Sequence, residues 1–209
     1  MPPGFAKEEA LALLEIANLP RAIVAHDGAL KRAPVEFLVS APITPGKVLL
    51  AFVGEVAAVQ ESLQVALDLA GSARIDKLFL PGIHPEALAA LRGHRESESE
   101  EPLAILEFST AAKTLLAVDA ALKTSQVQVG VMHLCSGFGG RGFFTLHGSL
   151  ENLEAAAEAA EQVTQDALST RELIAAPHVE LMAALFQRPW ALDPNTSDHL
   201  RNRERSKGV

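Results

Sequence analysis

The sequence predicts an α+β fold built from two tandem domains of the split βαβ (ferredoxin-like) type. The first observation is an internal repeat, because LALLEIANLPRAIVAHDGALKRAPV at 11–35 lies over LAILEFSTAAKTLLAVDAALKTSQV at 103–127. With two inserted residues, PGKVLLAFVGEV (45–56) then corresponds to GGRGFFTLHGSL (139–150). A period of 92–94 residues is the length of a small domain rather than of a solenoid unit. The second observation is that each half has the pattern β-α-β-β-α-β, which is the split βαβ plan.

The elements of the first half follow from apolar patterning and from residues that break it. The run ALALLEI is short and apolar, as in a buried strand, and Pro20 then begins a helix because proline suits the first helical turn. The turn ITPG separates two further apolar runs, and apolar residues at helical spacing predict a second helix that ends at Gly71. The predicted strands are 10–16, 35–41, 47–53 and 75–81, and the predicted helices are 20–32, 55–71 and 84–93.

The second half repeats this order. Its predicted strands are 103–108, 126–134, 142–148 and 169–175, and its predicted helices are 110–124, 150–167 and 178–187. The acidic, serine-rich run RGHRESESEEP between the halves is typical of a solvated linker. The chain is therefore divided into a first domain at 1–93, a linker at 94–102, a second domain at 103–187 and a partly mobile C-terminal tail at 188–209.

Composition disfavours several classes of function. The 209 residues are 48% hydrophobic and 21% charged, which is typical of a globular protein. A net charge of -8 disfavours a nucleic acid or an anionic membrane as a partner. The single cysteine excludes an internal disulfide and suits a reducing cytosol. Neither a signal-peptide pattern nor an apolar run long enough to cross a bilayer is found. We therefore expect a cytoplasmic protein.

The glycine-rich stretch HLCSGFGGRGFFTLHG (133–148) contains the dinucleotide fingerprint G-x-G-x-x-G. An apolar strand follows these glycines, where a nucleotide site needs a helix N-terminus for the pyrophosphate, so we reject a nucleotide site. His133, Cys135 and His147 are of types that bind zinc, and His133 and Cys135 would share one face of a predicted strand. A small buried thiol with two edge histidines is the simpler interpretation, so we predict no metal, with Cys135 as a weak candidate. Close approach of backbones at a symmetry axis remains as the reason for the glycines.

Two segments carry a family resemblance. DGALK (27–31) with ITPGK (43–47), and DAALK (119–123) with GFGGR (137–141), each combine a helix end with a glycine turn that leads into an apolar strand and a helix. This duplicated pattern, over roughly 10–187, resembles the bacterial microcompartment shell domain. The whole chain resembles the tandem-domain, trimer-forming shell proteins in unpermuted order.

The resemblance implies a role and partners. It implies a flat pseudohexamer, made of three chains, that tiles edge to edge with other shell proteins (hexamers and pentamers) into a polyhedral shell around enzymes. It also implies a central pore for metabolites. The sequence shows no convincing nucleophile–base pair, carboxylate dyad or phosphate loop, so we expect no catalysis and no cofactor. The unpermuted order favours a single layer over a stacked double layer.

The resemblance assigns residues to the tile edge. Lys31 and Lys123 match the edge lysine that lies across the junction between neighbouring tiles, where it would donate to backbone carbonyls of the facing subunit while its stem covers apolar surface. His84 and His178 are retained after the last strand of each half, although the arginine of the family is absent there.

The resemblance also assigns the pore. Three Thr44 and three Phe138 would alternate around one axis, the first offering a hydroxyl and the second an apolar plug. Lys47 and Arg141 follow the loops, and they would either give the pore mouth a positive field that favours anionic metabolites or point into bulk water. The predicted pore-lining residues are Ile43, Thr44, Pro45, Gly46, Gly137, Phe138, Gly139 and Gly140.

Three alternative functions stay open at this point. Some single-layer tandem members hold an iron–sulfur cluster through a cysteine at the pore tip, which suggests an electron-conducting tile with an iron–sulfur or metal centre on the threefold axis. Here Thr44 occupies that tip, and Cys135 is predicted to lie on the strand. A second alternative is a small-molecule-binding regulatory trimer. An enzyme centred on His133, Cys135 and His147 is the least favoured class.

Overall fold

A computed structural model describes residues 9–94, 101–135 and 137–181. Most of the linker, all of the C-terminal tail and most of the helix predicted at 178–187 lie outside the described residues. Within them, no helix is long and apolar enough to cross a membrane.

The observed elements agree closely with the predicted ones. The first half contains β1 (Ala10–Ile16), α1 (Leu19–Arg32), β2 (Glu36–Ile43), β3 (Lys47–Gly54), α2 (Val56–Ala70), β4 (Arg74–Leu80) and α3 (Pro85–Leu91). The second half contains β5 (Leu103–Phe108), α4 (Ala111–Thr124), β6 (Gln128–His133), β7 (Gly142–His147), α5 (Leu150–Thr164) and β8 (Leu168–Ile174). Asn18 and Thr110 begin α1 and α4, because each side-chain oxygen accepts a hydrogen bond from the backbone N–H three residues later.

Each half forms one four-stranded antiparallel sheet, and both sheets have the same topology. The strand order is β2-β3-β1-β4 in the first and β6-β7-β5-β8 in the second, with Leu13 opposite Ala51 and Ile105 opposite Thr145. Two helices pack on one face of each sheet, α1 and α2 on the first and α4 and α5 on the second. The prediction of two tandem split βαβ units is confirmed.

The second face of the first sheet is covered by the second half of the chain. Leu11 and Leu13 point away from α1 and α2, and they belong to the same apolar cluster as Leu115 and Leu122 of α4. Helix α4 contacts β1 and β4 as well as its own strands. Because α4 lies between the two sheets, the halves share one core, and we call this contact the within-chain junction.

Candidate functional site

The N-terminus of α4 is held by two carboxylates of the first half. Glu15 on β1 is fully buried, and its two oxygens accept hydrogen bonds from the backbone N–H of Ala112 (3.2 Å) and from Nζ of Lys47 (2.9 Å). Asp76 on β4 accepts a hydrogen bond from the Thr110 hydroxyl (2.7 Å). Negative charge at a helix N-terminus is favoured by the helix dipole. The within-chain junction is therefore polar as well as apolar.

The C-terminal end of α4 is held by the loop after β4. The carboxylate of Asp119, 5% exposed, accepts hydrogen bonds from the backbone N–H of His84 (2.7 Å) and from Nζ of Lys123 (2.6 Å). The same ammonium group donates to the Gly82 carbonyl (2.5 Å). Lys123 therefore donates to a backbone carbonyl, here one in the first half of its own chain.

The first-half counterparts of Lys123 and Asp119 are exposed to solvent. Nζ of Lys31 lies 2.6 Å from Oδ2 of Asp27, and the two side chains are 73% and 59% exposed. Both lysines thus lie near a helix C-terminus and pair with an aspartate four residues earlier, but Lys123 also contacts the other half of the chain. The role of Lys31 and Lys123 at a tile edge stays a prediction.

The two histidines predicted at the tile edge have matching local roles. Nδ1 of His84 accepts a hydrogen bond from the backbone N–H of Glu86 (3.3 Å), and Nδ1 of His178 accepts one from Glu180 (3.2 Å). Both rings therefore cap the segment that follows them, and their contact with a neighbouring tile stays a prediction.

The two hairpin loops predicted to line the pore lie against each other. The hydroxyl oxygen of Thr44 accepts a hydrogen bond from the backbone N–H of Gly137 (2.6 Å), and Gly140 is buried close to Pro45. Thr44, Pro45, Gly46, Gly137 and Gly139 are exposed. The resemblance predicted that the loops of three chains meet around one axis. In the structure, the two loops of a single chain are already in contact.

Two of the predicted pore-lining side chains are less exposed in the single chain than the sequence suggested. Ile43 is 8% exposed and packs in the shared core, so its side chain is not available to line a channel. The ring of Phe138 is half-buried, with its centroid 5.6 Å from that of Phe143 and 4.9 Å from the guanidinium carbon of Arg141. In the single chain Phe138 therefore packs on its own half, and its role as an apolar plug in the pore stays a prediction.

Both cations that follow the loops are paired with carboxylates. Lys47, 15% exposed, pairs with Glu15, and Arg141, 52% exposed, pairs with Glu107 at 2.7 Å. These pairs weaken the positive field that the sequence suggested, and neither cation points unpaired into water.

Cys135 lies beneath the second loop and not on a strand. Strand β6 ends at His133, and Cys135 has a left-handed φ of 65°, so the expectation that the two side chains share one strand face is wrong. The buried thiol donates to the Gly140 carbonyl (3.0 Å). Burial, with a smaller contribution from nearby Glu15, raises the pKa of Cys135 to about 12. The thiol is thus protonated at neutral pH, and a metal ion would have to displace this proton in order to bind the sulfur. The described residues contain no group of three or more His, Cys, Asp or Glu side chains that could hold a metal ion.

Sequence reasoning missed the acidic residues that hold the junction. Glu15 and Asp119 recur in the repeat as Glu107 and Asp27, and an acid within an apolar strand is unusual, so a signal was present. Asp76 gives no such signal, because Thr170 is its counterpart in the second sheet.

Comparison with protein families assigns both halves to one domain type. The BMC domain matches residues 10–83 and again residues 103–177. These two ranges cover both sheets and the helices α1, α2, α4 and α5.

Proteins similar to this chain over most of its length are known. The chain is 33% identical over 181 residues to the bacterial microcompartment shell protein PduT of Citrobacter freundii, a match that covers 86% of this chain and 98% of that protein. A crystal structure of a microcompartments protein from Desulfitobacterium hafniense DCB superposes with a TM-score of 0.79 at 31% identity, covering 85% of this chain and 99% of the other. The fused permuted hexameric shell protein MSM0275 from the RMM microcompartment gives a TM-score of 0.59 at 26% identity, covering 75% and 83%.

Proposed function

Since this chain belongs to the BMC-domain family, we propose that three copies close into a flat pseudohexameric ring around a central pore. The chain is a structural protein of a bacterial microcompartment shell, with two BMC domains in tandem. The ring would be one tile of that shell.

The difference between the two equivalent helices carries the proposal. Nine residues of α4 are buried, whereas α1 buries three. Leu19 and Ile23 of α1 are 50% and 59% exposed, while their repeat counterparts Ala111 and Leu115 are fully buried in the within-chain junction. An exposed apolar patch of this kind marks an interaction site. The exposed face of α1 is therefore the unpaired copy of the face by which α4 binds the first sheet.

The second sheet offers the surface that such a helix face would meet. Leu13 and Glu15 of the first sheet are fully buried under α4, whereas their counterparts Ile105 and Glu107 are only partly buried. Helix α1 of one chain would pack on this surface of the next chain in a head-to-tail contact, and a ring of three chains would contain three such contacts in addition to its three within-chain junctions.

The hairpin loops would meet at the centre of this ring. Thr44, Pro45, Gly46, Gly137 and Gly139 are the exposed loop residues and would line the pore. Glycine permits the backbones to converge at a symmetry axis. Because the neighbouring cations are paired, backbone groups and the Thr44 hydroxyl would govern which metabolites pass.

The proposed role is non-catalytic. The similar proteins bear the names of shell proteins. The tile would assemble in the cytoplasm with other shell proteins, both hexamers and pentamers, by edge-to-edge contact.

Light scattering and negative-stain microscopy of the full chain test this proposal. We expect a particle of about 67 kDa, three times the chain mass of 22.2 kDa, and hexagonal sheets at high concentration. Ile23→Glu should reduce the mass to that of one chain, because it places a charge in the closed junction. Val163→Glu is the control, since Val163 is 41% exposed on α5 and lies outside the proposed contact.

Three results would contradict the proposal in different ways. Wild-type protein that remains a monomer or dimer would refute the ring. Ile23→Glu protein that stays trimeric would show that α1 is not the contact. Trimers that associate in pairs would indicate a stacked double layer and would contradict the single layer that the unpermuted order favours.

A further inference from the structure

The two lysines predicted at the tile edge differ in their hydrogen bonds: Lys123 donates to Asp119 and to the Gly82 carbonyl, whereas Lys31 donates to Asp27. In the second half, Asp119 and the Gly82 carbonyl hold the ammonium group of Lys123, and Asp119 also binds the backbone N–H of His84. A lysine ammonium group has three donors, of which two are used here. The side chain is nevertheless 46% exposed, so the third donor is available at the surface.

Fixing a free lysine side chain for a new contact normally costs conformational entropy. For Lys123 this entropy is already lost on folding, because two acceptors fix the position of the ammonium group. Asp119 is the centre of the arrangement, since one oxygen binds the lysine and the other binds the loop that supplies the carbonyl.

The first half contains the same residues without the loop. Lys31 is paired with Asp27, and both side chains are more than half exposed. The repeat counterparts of Gly82 and His84 are Ala176 and His178, which are exposed in the single chain.

We propose that Asp27 and Asp119 are positioning residues that hold the edge lysines for contact with a carbonyl of a neighbouring tile, and that closure of the ring completes the site at Lys31. This inference rests on the proposed trimeric tile. In the ring, Asp27 accepts the backbone N–H of His178 of the partner subunit, and Lys31 donates to the carbonyl of Ala176 of the partner subunit. A chain outside a ring thus has one lysine that is held by both an aspartate and a backbone carbonyl, and a closed ring of three chains has six.

The proposal predicts an order of assembly. Rings close first and tile second, because half of the edge lysines are held only after closure. The acceptor in the neighbouring tile is a backbone carbonyl, the same chemical group that Lys123 already binds within the chain.

Asparagine variants of the full-length protein test the positioning role. Asp27→Asn and Asp119→Asn keep an oxygen for the histidine N–H but remove the charge that holds the lysine. We expect both variants to remain trimeric by light scattering. The critical concentration for sheet formation, measured by sedimentation and microscopy, should rise by about tenfold or more because the lysines are freed. Asp68→Asn is the matched control, since Asp68 accepts a hydrogen bond from a side chain four residues away on an exposed helix face.

A double-mutant cycle separates positioning from general stability. In a Lys123→Ala background, Asp119→Asn should raise the critical concentration no further, because the side chain that it holds is absent. If Asp119→Asn lowers the yield of folded protein, Asp27→Asn still gives the answer, because Asp27 is exposed.

The outcomes distinguish this inference from the proposed function. If wild-type sheets form and both asparagine variants tile at the wild-type concentration, the positioning role is refuted while the tile stands. Additive effects of Asp119→Asn and Lys123→Ala would refute it as well. Wild-type trimers that never tile would refute the tile itself and the inference with it.

Discussion

Replacing Glu15 by glutamine tests the polar part of the within-chain junction. The Glu15 side chain is fully buried and its partner Lys47 is 15% exposed, so the substitution leaves an ammonium group in the interior without its counter-charge. Breaking a buried ion pair by removing one partner costs about 3–5 kcal/mol. Because glutamine keeps an acceptor for the Ala112 N–H, we expect the lower end, about 3 kcal/mol. For a chain of this length that corresponds to a fall in Tm of about 6–12 °C.

Urea unfolding followed by circular dichroism measures this free energy, at one fixed protein concentration because association adds to the apparent stability. Glu61→Gln is the control, since Glu61 pairs with Arg32 at 3.0 Å on the surface and both side chains are about half exposed. Its loss should cost less than about 1 kcal/mol. If Glu15→Gln were no more destabilising than Glu61→Gln, the buried charge pair between Glu15 and Lys47 would not be what stabilises the first sheet beneath α4.

Three further substitutions or titrations have definite expected results. Gly142→Ala should destabilise the fold by about 1–3 kcal/mol in the same urea assay, because the added Cβ would lie 2.4 Å from the Thr114 hydroxyl oxygen, whereas Gly54→Ala, with its nearest neighbour at 3.4 Å, should be tolerated. Cys135 should resist Ellman's reagent at pH 8 until the protein unfolds, since its pKa is raised to about 12; rapid labelling of folded protein would contradict this. Burial lowers the pKa of His26 below 6.5, so the unfolded chain binds more protons there and stability should fall as the pH drops through 6.5. His26→Gln should remove that component of the pH dependence, and an NMR titration midpoint above 6.5 would refute its cause.

Most of the fold could be predicted because local patterns decide it. Apolar runs with turn residues between them locate the eight strands among the described residues, and Pro20 lies one residue from the observed start of α1. The internal repeat supports each assignment twice.

The remaining features depend on contacts distant in sequence. The similar sequences of α1 and α4 do not reveal that α4 is packed between two sheets, since this depends on which surface each helix meets. The burial of Ile43 has the same origin, because the shared core covers it. Cys135 was placed on a strand because the apolar pattern continues past His133, although the backbone turns there into a left-handed conformation.

The packing of α4 between both sheets also controls the angle at which the two halves are joined. A head-to-tail contact can extend without limit as a fibre, or it can return to its starting point, and the rotation from one unit to the next decides which occurs. In this chain a rigid shared core sets that rotation before any second copy binds. If α1 meets the second sheet as α4 meets the first, each successive unit turns by the same amount, and the proposed ring of three chains closes only if six of these turns make one full rotation.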